Sequence, residues 1–259
     1  MGEVKQFLKR TGALLLALTM AVTTVGGIPV QAASANKALS VSYSFNGQSY
    51  EKDGEKSDYN NWHSITIAGN NKKATLKKVK LCMDAYIPKT ALKKNNASVN
   101  MNMGLDILDK KGTYVGYVSS RIVLTAVKEQ GKVKLYAWDN VSEKNVQASK
   151  YATCKAGTGK YKSFYVIKIK NLPLADQIDL LEGKGTEKVK ASTKYAFNVC
   201  AGIGGENTKD KGKFYLDNMK VMQGSKCLQN ITFSTKPEWY SGFVKGKDMN
   251  KKKLAIVKF

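Results

Sequence analysis

The chain has 259 residues, 42% of them hydrophobic, with 43 Lys and Arg against 20 Asp and Glu and a formal net charge of +23. That is enough apolar material for one large all-β domain or two small ones. Only Arg10 and Arg121 are arginine, so the charge is carried by lysine, which suits neither base readout nor forked phosphate binding and argues for no nucleic-acid partner.

Residues 1–32 read as a secretory signal peptide. Lys5, Lys9 and Arg10 precede the apolar run "GALLLALTMAVTTVGG", and "VQAASA" supplies small residues for cleavage after Ala32 or Ala35. No later stretch approaches the roughly 20 apolar residues a span requires, so the expected product is secreted, with no membrane span after signal removal.

Period-two alternation dominates from residue 33 to 222. "YSF" (43–45) and "SITIAG" (64–69) open the series. "VKLCMDAYI" sets Val79, Leu81, Met83, Ala85 and Ile87 against Lys80, Cys82, Asp84 and Tyr86. "NMNMGLDI" sets Met101, Met103, Leu105 and Ile107 against Asn100, Asn102, Gly104 and Asp106. "RIVLTAV" (121–127), "VKLYAWD" (133–139), "FYVIKIK" (164–170) and "YAFNVCAGI" (195–203) continue the pattern, each a half-buried strand. "DKKGT", "EQGK" and "KAGTGK" supply turn chemistry between them. "LADQIDLLEG" (174–183) is the best helical candidate, with Leu174, Ile178 and Leu181 on one side. Strands at this spacing predict an all-β, two-sheet antiparallel β-sandwich of the jelly-roll kind. Residues 223–259 form a C-terminal extension to which the sequence assigns no role.

Cys82, Cys154, Cys200 and Cys227 form an even set, open to two disulfides in any of three pairings or to buried free thiols. None has the C-x-x-C spacing of a zinc or redox site. His63 is the single histidine, which excludes histidine metal clusters, and no two carboxylates are marked as a glycosidase pair. The expectation is a protein that is not an enzyme.

A sugar-binding surface needs flat apolar platforms for C–H faces and amides or carboxylates for hydroxyls. Tyr136 and Trp138 stand two apart in "LYAWD" and share a face, with Leu135 and Ala137 on the other. If the aliphatic faces make the core, the second faces are expected to form one surface of Tyr86, Asp84, Asn102, Asp106, Tyr136, Trp138 and Asn198.

The order "VSYSFNG", "LCMDAYIP", "AFNVCAGIGG", "KGKFYLDNMKV" resembles the β-jelly-roll carbohydrate-binding modules of the mannanase-associated, galactose-binding-domain-like type, over roughly residues 40–222. The resemblance implies binding of a β-linked polysaccharide, β-mannan-like, by aromatic stacking. It also adds Trp62 as a further aromatic beyond the first strand. A structural calcium is implied, held by Asp217 in the closing strand beside Asn46, where the family more often has Glu. An alternative for the Asp217–Asn218 pair is a bulge stabilised by side-chain hydrogen bonds. Two other functions compete. One is a cell-envelope protein whose lysines hold anionic cell-wall polymer. The other is a polysaccharide lyase acting on an acidic glycan, whose Gln-Ile-His-type and Tyr-Phe-Lys-type strand motifs are absent.

Overall fold

A computed structural model describes residues 37–47, 62–67, 73–181, 184–233, 240–244, 247–248 and 254–259. The expected signal peptide and Trp239 lie outside the described residues. In chain order the strands are β1 (Lys37–Asn46), β2 (Trp62–Ile67), β3 (Lys73–Thr75), β4 (Val79–Pro88), β5 (Ser98–Leu108), β6 (Tyr114–Ser119) and β7 (Ile122–Glu129). Next come β8 (Lys132–Asp139), β9 (Lys144–Val146), β10 (Ala152–Ala156), β11 (Phe164–Pro173), β12 (Gln177–Leu180) and β13 (Thr186–Lys188). The last are β14 (Lys194–Glu206), β15 (Lys209–Gln223), β16 (Lys226–Ile231), β17 (Tyr240–Val244), β18 (Lys247–Asp248) and β19 (Leu254–Lys258). The described residues contain no α-helix, only short 3-10 turns, and no helix long and apolar enough to cross a membrane.

The strands form two antiparallel sheets. The smaller has seven strands in the order β10-β11-β4-β15-β1-β19, with β16 on the far half of β15. The larger has twelve, with β13-β12-β6-β5-β14-β2-β17-β18 as its main path, β3 on β14, and β7-β8-β9 branching from β5. In jelly-roll fashion, β15 returns between β1 and β4 in one sheet, and β14 between β5 and β2 in the other. The core lies between the sheets. Leu39, Val41, Leu81, Met83, Ile167 and Phe214 from the smaller meet Ile65, Met101, Met103, Leu105, Phe197 and Val199 from the larger. These are the aliphatic faces that the alternation marks as inward.

Residues beyond 222 supply strands to both sheets, since β16 and β19 join the smaller and β17 and β18 the larger. "LADQIDLLEG" is not helical. Its Gln177–Leu180 portion is strand β12, paired with β13 and with Tyr117 and Gly116 of β6. A Cβ on Gly116 would stand 2.5 Å from the carbonyl oxygen of Asp179, so the missing side chain is what admits β12 to the sheet edge. Pairing there overrides a weak helical pattern.

The Asp217–Asn218 pair makes a bulge. The β15–β4 register shifts between Asp217 and Lys220, and Asn218 takes a left-handed backbone (φ 51°) that Asn tolerates better than most residues. Asp217 Oδ1 accepts from the Asn218 backbone N–H at 2.7 Å, and Asn218 Nδ2 donates to Asp84 Oδ2 at 2.9 Å.

Candidate functional site

The hairpin from β7 to β8 turns on Gln130 (φ 47°) and Gly131 (φ 79°), both left-handed, the two-residue geometry that matches strand twist. It sets Glu129 opposite Lys132 and Thr125 opposite Tyr136. Along β8, Val133, Leu135 and Ala137 face the core, and Lys134, Tyr136 and Trp138 occupy the alternate, outer positions. Tyr136 is 42% exposed and Trp138 is half-buried, and their positions lie about 7 Å apart along the same side of the strand.

Neighbouring groups hold this hairpin in place. The Tyr136 hydroxyl donates to the Glu129 carboxylate (2.8 and 2.9 Å), and Lys134 Nζ pairs with Glu129 Oε2 at 2.9 Å. Bonds from Lys134 and then Tyr136 hold the Glu129 carboxyl below its usual range. Beyond Trp138, Asp139 accepts from the backbone N–H of Val141 (3.0 Å) and Ser142 (3.2 Å) and pairs with Arg121 at 3.2 Å. Each end of the ring pair is therefore tied by charge-assisted hydrogen bonds.

The register extends this platform across the sheet. Trp138 lies between Val123 of β7 and Asn145 of β9. Opposite Tyr136, Thr125 donates from Oγ1 to Asn100 Oδ1 of β5 at 2.7 Å. Asn100 stands opposite Gly204 of β14, and Gly204 opposite Trp62 of β2. One row thus reads Tyr136, Thr125, Asn100, Gly204, Trp62, spanning four strand steps or about 19 Å. Asn102 follows Asn100 on the same side and pairs with Gly202. The alternation in "NMNMG" that singles out Asn102 marks Asn100 equally. Thr125 and Asn145 become visible only once the strand pairing is known.

Two other expected members, like Asn100 of the row, share the sheet but not the solvent. Asp106 and Asn198 pair with each other across β5 and β14, and both are buried. Asp106 also stands opposite Tyr117 of β6, itself opposite Asp179 of β12. Burial pushes the Asp106 pKa up to about 7, against hydrogen bonds from Thr66 and Cys200 that pull it down. Its Oδ1 has no partner. The Tyr114 and Tyr117 phenols beside it are raised well above their ordinary value, first by burial and then by Asp106 and Asp179 respectively. This is a dry polar pocket that favours a neutral carboxyl.

Tyr86 and Asp84 are on β4, in the smaller sheet, so the single surface expected for all seven residues is divided between two sheets. Tyr86 is buried among Tyr161 and Phe259, and Asp84 receives the Asn218 amide. The expected calcium ligands do not meet. Antiparallel pairing sets Asn46 opposite Lys209, eight positions along β15 from Asp217, which pairs with Asp84; at about 3.3 Å per residue no single ion bridges them. Among the described residues no group of three or more His, Cys, Asp or Glu side chains is arranged to hold a metal ion. All four cysteines are free thiols.

No protein-family model, no curated protein and no solved structure matches this chain, which the described residues define as an all-β, two-sheet antiparallel sandwich.

Proposed function

We propose that the chain is a secreted, non-catalytic carbohydrate-binding protein that takes a β-linked, β-mannan-like polysaccharide across the outer face of its larger sheet. The observation that carries this reading is the row from Tyr136 through Thr125 and Asn100 to Gly204 and Trp62, with Trp138 and Asn102 alongside. Two adjacent rings offer stacking area, the half-exposed Asn102 and Thr125 offer directional partners, buried Asn100 holds Thr125 in place, and glycine adds no bulk between the ends. Stacking needs a ring held still, and the bond from Tyr136 to Glu129 meets that need. The resemblance of the strand motifs to mannanase-associated modules supplies the sugar class.

Affinity electrophoresis in β-mannan gels tests it. Trp138→Ala should weaken retention by about 1–3 kcal/mol, by analogy with aromatic stacking on nucleobases. Retention should also resist moderate salt, because neutral sugar offers no charge to screen. Unchanged retention in the variant overturns the reading. Release of the wild type by salt points instead to anionic polymer held by lysines.

A further inference from the structure

Phe259 sits among four rings on the outer face of the smaller sheet. Its ring stacks on Tyr215 at 4.0 Å and 23°, meets Tyr86 edge-on at 4.7 Å, and lies 5.1 Å from Tyr161 and 5.7 Å from Phe164. Lys160 Nζ donates to the Phe259 backbone oxygen at 2.7 Å. These partners come from β4, β11, β15 and the 3-10 turn Gly159–Tyr161. Among the described residues, the strand that delivers Phe259, β19, is paired on one side only, through Lys37–Val41 of β1. The strand before it, β18, belongs to the other sheet. An edge that gives backbone hydrogen bonds, beside a cradle that takes one side chain, is the arrangement by which sheets accept added peptide strands.

We propose that the β1 edge and the cradle of Tyr86, Tyr161, Phe164 and Tyr215 form an acceptor site for an extended segment, and that Leu254–Phe259 of a second copy of this chain fills it by strand exchange. The same contacts serve either copy, so the contact energies cancel between the closed and exchanged forms. Concentration and tether length then decide between them. The lysine-rich surface opposes association at low ionic strength, so exchange should rise when salt screens it.

The test uses full-length wild type, full-length Phe259→Ala and a fluorescent peptide of sequence Leu-Ala-Ile-Val-Lys-Phe, read by anisotropy in moderate salt. Phe259→Ala, whose own segment no longer fills the cradle, should bind the peptide at least about tenfold more tightly than wild type. The peptide carrying Phe259→Ala should lose at least as much. If the variant chain fails to fold by circular dichroism, light scattering of wild type across a concentration series replaces it. Dimers that excess peptide dissolves support the proposal. A monomer at every concentration with no peptide binding overturns it, and peptide binding without dimers overturns the second copy as donor.

Discussion

Asp106→Asn should alter how stability depends on pH more than it alters the fold. The Asp106 carboxyl has a pKa of about 7 in the folded chain against an ordinary 3.8, because burial disfavours the charged form. A raised carboxyl pKa means the folded state holds its proton more tightly than the unfolded state. Stability is therefore greatest at low pH, falls as pH rises past the unfolded value, and bottoms out above the folded value. At 1.36 kcal/mol per pH unit the full effect is about 4 kcal/mol, more than half of it falling between about pH 5 and pH 8. The charged and polar neighbours are Asn198, Asp179, Tyr114, Tyr117, Cys200 and Thr66, none of them cationic, so no positive charge offsets the burial of the anion. The amide of the variant does not ionise. It can still accept from Thr66 and Cys200 through its oxygen, with its nitrogen at the unpartnered position. Urea unfolding of both proteins across that range gives the comparison, and the difference between the two curves removes the contribution of every other group. The wild-type curve should fall relative to the variant by a few kcal/mol. Parallel curves would refute the reasoning, because they would mean that Asp106 ionises freely where it sits.

Three further outcomes are expected. Asn218→Ala should cost about 1–2 kcal/mol for a left-handed backbone without Asn, plus about 1 kcal/mol for the lost bond to Asp84, measured as a fall in Tm. Asn218→Gly should lose only the second part. Thiol titration with a chromogenic disulfide should modify the exposed Cys227 first and Cys200 last. Burial lifts the Cys154 thiol to about 11 and that of Cys200, the more deeply buried, well above its ordinary value, with Asp106 adding to the latter. Addition of a chelator should leave Tm unchanged, because Asn46 and Asp217 stand at distant register positions; a fall of several degrees would show a bound ion.

Local alternation revealed most of the strands and their inward faces. "VKLCMDAYI" and "LYAWD" carry their facing in their own residues, and Leu81, Met83 and Ala137 are buried as the pattern requires. What alternation lacks is partnership. Nothing within β4 tells that it pairs with β11 and β15 rather than β5, so Tyr86 and Asp84 read as companions of Trp138 although another sheet holds them. The same blindness affects Asp106 and Asn198. A polar residue alternating with Leu or Phe reads as solvent-facing, yet at Asp106 and Asn198 the second face of the central strands β5 and β14 is also closed off, whereas at Asn102 it stays half-open. "LADQIDLLEG" was ambiguous for a different reason, since a glycine about sixty residues earlier decides its state.

The kink at Asn218 also works as a counter. Before it, even-numbered Phe214 and Leu216 point into the core; after it, odd-numbered Met219 and Val221 do. One strand thereby serves two partners in succession, β1 over Lys209–Leu216 and β16 over Met219–Gln223, while keeping oil on one side throughout. Forcing residue 218 into a straight ladder would turn Met219 and Val221 toward water, whereas deleting it would remove the kink and leave both facing inward.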